Sequence, residues 1–69
     1  MSITRHARHI EFRDEVGDGV RVVEVYHDSE TLRVVAYSET PAGGRKPLTM
    51  FIDDLVALIE QAQEILAQD

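Results

Sequence analysis

The first two thirds of the chain alternate apolar and polar residues with a period of two, which is typical of β-strands. Segments rich in β-branched and aromatic residues predict strands near residues 7–15, 20–27 and 32–38. A shorter fourth strand is predicted at 48–51, after Pro47, because proline cannot donate a ladder hydrogen bond. The dipeptide Asp18-Gly19 predicts a tight hairpin, and residues 41–47 predict a longer loop rich in glycine and proline.

After Ile52 the pattern changes to the period of an α-helix. Apolar residues recur at helical spacing: Leu55, Leu58, Ile59, Ala62, Ile65 and Leu66. Asp53 is the predicted N-cap, and the helix is predicted to end near Ala67. Val56 and Ile59 belong to an apolar stripe wider than one small sheet requires, so we predict that they form an interface with a second copy.

This order of elements predicts an α+β fold, with a four-stranded antiparallel sheet followed by one C-terminal helix packed on one face. Alternation predicts that the helix covers seven apolar residues: Ile10, Phe12, Val23, Val25, Leu32, Val34 and Ala36. The other face, called the open face below, is predicted to carry His9, Glu11, Arg13, Val22, Glu24, Tyr26, Arg33, Val35 and Tyr37. Phe51 is predicted to join that open face.

The length of 69 residues predicts one domain spanning residues 1–69. Such a chain buries only about 60% of the surface that its unfolded form exposes, so its core stabilises it weakly. The sequence has no cysteine, which excludes disulfides and thiolate metal sites. Self-association as a homodimer is therefore the expected additional source of stability.

Charge is distributed unevenly along the chain. Thirteen acidic against seven basic side chains give a net charge of −6, which repels phosphate backbones and anionic lipid. The first thirteen residues nevertheless contain three arginines, two histidines and one acid. Residues 1–8 are therefore predicted to be either a flexible basic arm or a mobile terminus that its charges keep in solution.

The sequence does not favour an enzyme. It has no nucleophile elbow, phosphate-binding loop or dinucleotide fingerprint, and Gly43-Gly44 is interpreted as part of a hairpin loop. The spacing of the three histidines matches no zinc pattern, so we expect no metal and no cofactor. The sequence shows neither an apolar segment long enough for a membrane span nor a secretory signal, and a cytoplasmic protein is expected.

Two tyrosines are predicted on one sheet face in neighbouring strands. Tyr26 and Tyr37 would lie there near Arg13 and Arg33, and such aromatic platforms bind single-stranded nucleic acid by stacking. The acids Glu11 and Glu24 on the same face oppose that interpretation. An ordinary solvent-facing or dimer-facing surface is the alternative.

The segment Leu48-Thr49-Met50-Phe51-Ile52-Asp53-Asp54-Leu55 resembles part of a single repeat of the Pur-alpha family, which binds single-stranded DNA and RNA. The resemblance extends from Phe12 to about Leu66 and includes the order of four strands and a helix. The positive-cofactor-four coactivators and the Whirly proteins have a related architecture. The resemblance implies a dimer with nucleic acid on the sheet, bound through Arg13, Tyr26, Arg33, Tyr37, Arg45 and Lys46.

Two functions from different classes follow from these patterns. The first is a homodimeric module that binds single-stranded DNA or RNA through the open face. The second is a small acidic interaction or inhibitor protein that binds a basic protein partner, and the net charge favours it. An enzyme ranks behind both.

Overall fold

The structure, a computed structural model, describes residues 1–17 and 19–68. Within these residues five strands precede one helix, so the predicted α+β class is confirmed. The strands are β1 (Ser2–His6), β2 (His9–Val16), β3 (Gly19–Asp28), β4 (Thr31–Glu39) and β5 (Arg45–Pro47), and the helix is α1 (Ile52–Leu66). Each strand pairs antiparallel with the next, so the sheet is a meander in sequence order.

The hairpin between β2 and β3 is closed by the pair Val16 and Gly19. Gly17 has a φ of +56°, a left-handed conformation that glycine adopts at little cost. A Cβ atom at position 19 would lie 2.5 Å from the carbonyl oxygen of Glu39, so only glycine fits there without a shift. The predicted turn residue Asp18 lies outside the described residues.

The N-terminal segment forms a strand, which corrects the prediction of a flexible arm at residues 1–8. Ser2–His6 pair with residues 9–13 of β2. The Arg5 guanidinium donates hydrogen bonds of 2.9 Å and 2.7 Å to the carbonyl oxygens of Ile65 and Gln68. Ile65 belongs to the last turn of α1 and Gln68 follows the helix, so both carbonyls lie at its negative C-terminal end, where a cation is favourable. Arg5 thus ties β1 to the helix.

The last strand and the helix start also differ from prediction. The strand expected at 48–51 lies at Arg45–Pro47 instead, because the side chains of Leu48 and Met50 pack against the core. The helix begins at Ile52, with Phe51 at the N-cap position and no side-chain cap, so the predicted Asp53 cap is wrong. Asp53 lies in the first turn, where a negative charge is favourable near the positive helix end.

The core lies between the sheet and α1. Ile10 and Phe12 from β2, Val23 and Val25 from β3, and Ala62 from α1 form its buried cluster. The predicted helix-facing residues of these strands are therefore confirmed. The helix packs against β2 and β3 and makes no close backbone approach to β4, so Val34 stays 36% exposed on the helix side.

Candidate interaction surfaces

A ladder of planar side chains crosses the open face from β1 to β4. The pairing of the strands places His6, His9, Tyr26 and Arg33 in one row. The His9 and Tyr26 rings stack at 4.1 Å with an interplanar angle of 1°, and the His6 ring follows at 5.2 Å from His9. The Arg33 guanidinium lies 4.1 Å from the Tyr26 ring centroid. Both faces of the Tyr26 ring are therefore covered by neighbouring side chains.

The second tyrosine of the open face is buried. Tyr37 is 8% exposed, and the Arg45 guanidinium lies 4.1 Å from its ring centroid. Burial raises the pKa of the Tyr37 phenol, and the negative charge of Glu24 raises it further. The expectation that Tyr37 presents an open ring is corrected. Val22, its neighbour across the β3–β4 pair, is fully buried on the same face.

An ion pair that crosses β3 covers Val22. The Arg13 guanidinium on β2 donates a 2.9 Å hydrogen bond to the Glu39 carboxylate on β4. A contact between these strands must pass over the β3 residues between them, and Val22 lies opposite Arg13. Arg13 also lies 3.5 Å from Glu11, and the hydrogen bond to Glu39 raises the pKa of Arg13 above its ordinary value. The sequence carries no local signal for this contact, because Arg13 and Glu39 are 26 residues apart.

Acidic groups occupy the middle of the open face. Glu11 and Glu24 lie directly opposite each other in neighbouring strands, an arrangement that is destabilising for like charges. His9 Nε2 lies 3.6 Å from Glu24 Oε1 and has no hydrogen-bond partner within the described residues. Phosphates would therefore meet carboxylates at the centre of this face.

Five of the six residues predicted to bind nucleic acid share the open face. Their positions follow from the strand pairing: Arg13, Tyr26, Arg33, Tyr37 and Arg45. Lys46 pairs with Ser38 and lies on the other side of the sheet. Arg13 binds Glu39, and Arg33 Nε lies 3.3 Å from Asp28. The arginines that the sequence predicted as phosphate contacts thus already contact carboxylates or tyrosine rings.

The helix presents a second surface, which is acidic. The chain contains no Lys, Arg or His after Lys46, whereas α1 carries Asp53, Asp54, Glu60 and Glu64. Helical spacing places Asp53, Glu60 and Glu64 together, opposite the buried Ala62. We call these three residues the acidic stripe. Within the described residues none of its carboxylates takes part in an ion pair.

Large apolar side chains border the acidic stripe. Phe51 and Ile52 are 82% and 78% exposed, and Val56 follows one turn after Ile52. Phe51 lies with Arg21, Met50 and Asp54 near the start of α1, so the prediction that it joins the open face is wrong. Of the two residues predicted as surplus apolar area, Val56 is 45% exposed, whereas Ile59 is half-buried and packs against the core. The larger exposure of Phe51 and Ile52 was not predicted.

Neither a metal site nor a membrane-spanning helix is found in the described residues. No group of three or more potential metal-ligating side chains occurs in the described part of the chain. Residues 1–17 and 19–68 contain no helix that is long and apolar enough to cross a bilayer. Comparison of the chain with protein-family models, curated proteins and solved structures gives no match. The resemblance to the Pur-alpha repeat therefore stays a prediction.

Proposed function

We propose that this protein is a small acidic interaction protein that binds a basic segment of a partner protein through the outer surface of α1. The observation that carries the proposal is the acidic stripe, whose three carboxylates form no ion pair among the residues that the structure describes. By contrast, most carboxylates of the sheet contact a cation, as Glu39 contacts Arg13 and Asp14 contacts Arg21. The helix carboxylates are thus available to a positively charged ligand.

Repulsion within the stripe supports this choice. Glu60 and Glu64 are four residues apart on α1, where like charges destabilise a helix by about 0.2–0.5 kcal/mol. A lysine or arginine placed between the two carboxylates would remove that repulsion and add attraction. Binding would therefore be electrostatic in part and would weaken as salt is added.

The exposed ring of Phe51 supplies an apolar anchor beside the charge. It is 82% exposed and lies next to the first turn, where Asp53 and Asp54 are located. Aromatic side chains dominate many interfaces because they bury a large area at low entropic cost. A basic amphipathic segment would satisfy both features, with apolar residues on Phe51 and cations on the acidic stripe.

The nucleic-acid function receives less support from the geometry. A base would have to displace His9 or Arg33 to stack on Tyr26, because these side chains contact its ring. Tyr37 is 8% exposed, and the pair of Glu11 and Glu24 lies between the row of Tyr26 and the row of Tyr37. A net charge of −6 further disfavours phosphate binding.

Fluorescence anisotropy with a labelled helical peptide of lysine and leucine tests the proposal. The test variant is Glu60→Gln with Glu64→Gln, and the control is Glu15→Gln, an exposed carboxylate on β2. Two exposed charges are worth about 0.4–2 kcal/mol together, so the double variant should bind about 2- to 30-fold more weakly. The control variant should bind as tightly as the wild type.

A labelled single-stranded oligonucleotide is titrated in parallel at low salt. The proposal predicts that the peptide binds and the oligonucleotide does not. Tight binding of the oligonucleotide, or equal peptide affinity for wild type and the Glu60/Glu64 variant, would overturn it. The first of these outcomes would favour the nucleic-acid function instead.

A further inference from the structure

One edge of the sheet is only partly paired. β5 pairs with Tyr37, Ser38 and Glu39 of β4, and β4 begins at Thr31. Residues 31–36 therefore have no strand beside them on that edge within the described part of the chain. Edges of this kind present free backbone donors and acceptors to a further strand.

The hydrogen-bond alternation shows which backbone groups point outward. The N–H of His27 donates to Arg8 at 2.9 Å, so the odd-numbered residues of β3 direct their backbone groups to β2. The N–H of Thr40 donates to Gly44 at 2.8 Å, on the β5 side. Even-numbered residues of β4 therefore face away from β3. The N–H and C=O groups of Leu32 and Val34 point to the open edge.

The side chains along this edge are apolar on the helix side. Leu32, Val34 and Ala36 alternate onto that side, and α1 does not extend over Val34. Leu32 lines a depression together with Gln63 and Leu66, so the flank of α1 that contains them faces β4. Helical spacing puts Ile52, Val56 and Ile59 on the same flank, beside the uncovered part of β4. On this side of the molecule, β4 and α1 both expose apolar side chains, namely Val34, Ile52 and Val56.

We propose that a second copy of this chain pairs antiparallel with this edge of β4, with the twofold axis at Val34. Each Val34 then exchanges two backbone hydrogen bonds with Val34 of the second copy. The same register places Leu32 opposite Ala36, apolar against apolar. Arg33 lies opposite Val35, so no like charges face each other.

Charge does not oppose a second copy at this edge, whose self-complementary register is the reason for choosing that occupant. Each copy has a net charge of −6, but Arg33 is the only charged residue in positions 31–38. Two copies therefore approach each other along the least acidic stretch of the sheet. The proposal is independent of the basic-partner function, because the acidic stripe lies on the outer side of α1 and stays free in the dimer.

The opposite edge fits a second copy less well. Arg5 and Ile3 of β1 alternate onto the helix side, and the Arg5 guanidinium is bound to the carbonyl oxygens of Ile65 in α1 and of Gln68 after it. If a second copy paired with β1, the charged side chain of Arg5 would lie in the apolar layer of the interface. β1 therefore provides a matched control for β4.

Cross-linking tests the pairing, since the chain has no natural cysteine. The variant Val34→Cys is treated with a short bismaleimide at tens of micromolar protein, and Ile3→Cys, an exposed apolar site on the β1 edge, is the control. The twofold axis brings the two introduced thiols of Val34→Cys together, so a covalent dimer of twice 7.8 kDa should form rapidly. It should form several-fold faster than with Ile3→Cys. Equal rates would overturn the proposal.

Sedimentation of protein without cross-linker gives an independent measurement. The wild type should sediment at twice 7.8 kDa, and Val34→Lys should sediment as a monomer that circular dichroism shows to be folded. The lysine places a charge in the apolar layer of the interface, a device that natural edge strands use against pairing. A wild type that stays at 7.8 kDa up to hundreds of micromolar would refute the pairing. Peptide binding measured on Val34→Lys should be unchanged, so failure of the dimer and of the proposed function are distinguishable.

Discussion

Replacing Tyr37 with alanine should destabilise the fold strongly, although the residue lies on the open face. The ring is 8% exposed, packs beside the fully buried Val22 and is covered by the Arg45 guanidinium. Truncation of a buried aromatic residue typically costs about 3–5 kcal/mol. Because this site borders solvent and can partly collapse, we expect the low end, about 3 kcal/mol.

That loss is large for a chain of this size. A stability of roughly 0.05–0.15 kcal/mol per residue gives about 3–10 kcal/mol for 69 residues. Tyr37→Ala should therefore lower the urea midpoint sharply or unfold the protein. Tyr37→Phe keeps the ring in place and is the matched control, with an expected loss below about 1 kcal/mol.

The assay is urea unfolding followed by far-ultraviolet circular dichroism. Wild type and variants are compared at one protein concentration, because dimer formation makes apparent stability depend on concentration. A free energy of unfolding for Tyr37→Ala within about 0.5 kcal/mol of the wild type would refute the reasoning, because a change that small is typical of exposed sites. It would mean that the Tyr37 ring is open and available for stacking.

Three further predictions concern the helix end, the buried phenol and the hairpin. Arg5→Gln should lower the free energy of unfolding by about 1 kcal/mol in the urea assay, because the hydrogen bonds at the end of α1 are lost. The control Arg8→Gln should leave the free energy of unfolding unchanged. In a pH titration of absorbance at the phenolate band, the difference between wild type and Tyr37→Phe should show a transition above the ordinary pKa of 10.0. Since burial raises the folded pKa, stability from this group is present below pH 10.0 and is lost as the pH rises through the folded pKa. Gly19→Ala should cost about 1–3 kcal/mol by thermal unfolding, because its Cβ would meet the Glu39 carbonyl.

The fold class was predictable because period-two and helical patterns are local. Phe12, Val23 and Ala62 were assigned to the core from alternation and helical spacing alone, and the structure buries all three. β1 was missed because residues 2–6 contain only one large apolar residue, Ile3, so alternation gave no signal. Its formation depends on pairing with β2 and on the hydrogen bonds of Arg5. The acceptors of these bonds, Ile65 and Gln68, are 60 and 63 residues away from Arg5 in the sequence.

The candidate site was less predictable than the fold. Alternation placed Tyr26 and Tyr37 on one face, as the strand pairing shows. It could not predict that their rings are covered, because this depends on where the flexible side chains of Arg33 and Arg45 lie. The acidic stripe was not predicted, although the sequence contains no Lys, Arg or His after Lys46. Its lack of ion pairs within the described residues required the structure.

The most direct test of the proposed function is an amide chemical-shift map of the protein titrated with the lysine and leucine peptide. Binding through the outer surface of α1 predicts the largest shift changes at Phe51, Asp53, Glu60 and Glu64, with little change at Tyr26. These changes should weaken as salt is added, since the contacts are between exposed charges. Shift changes centred on Tyr26 and the rest of the open face, or no changes at all, would contradict the proposal.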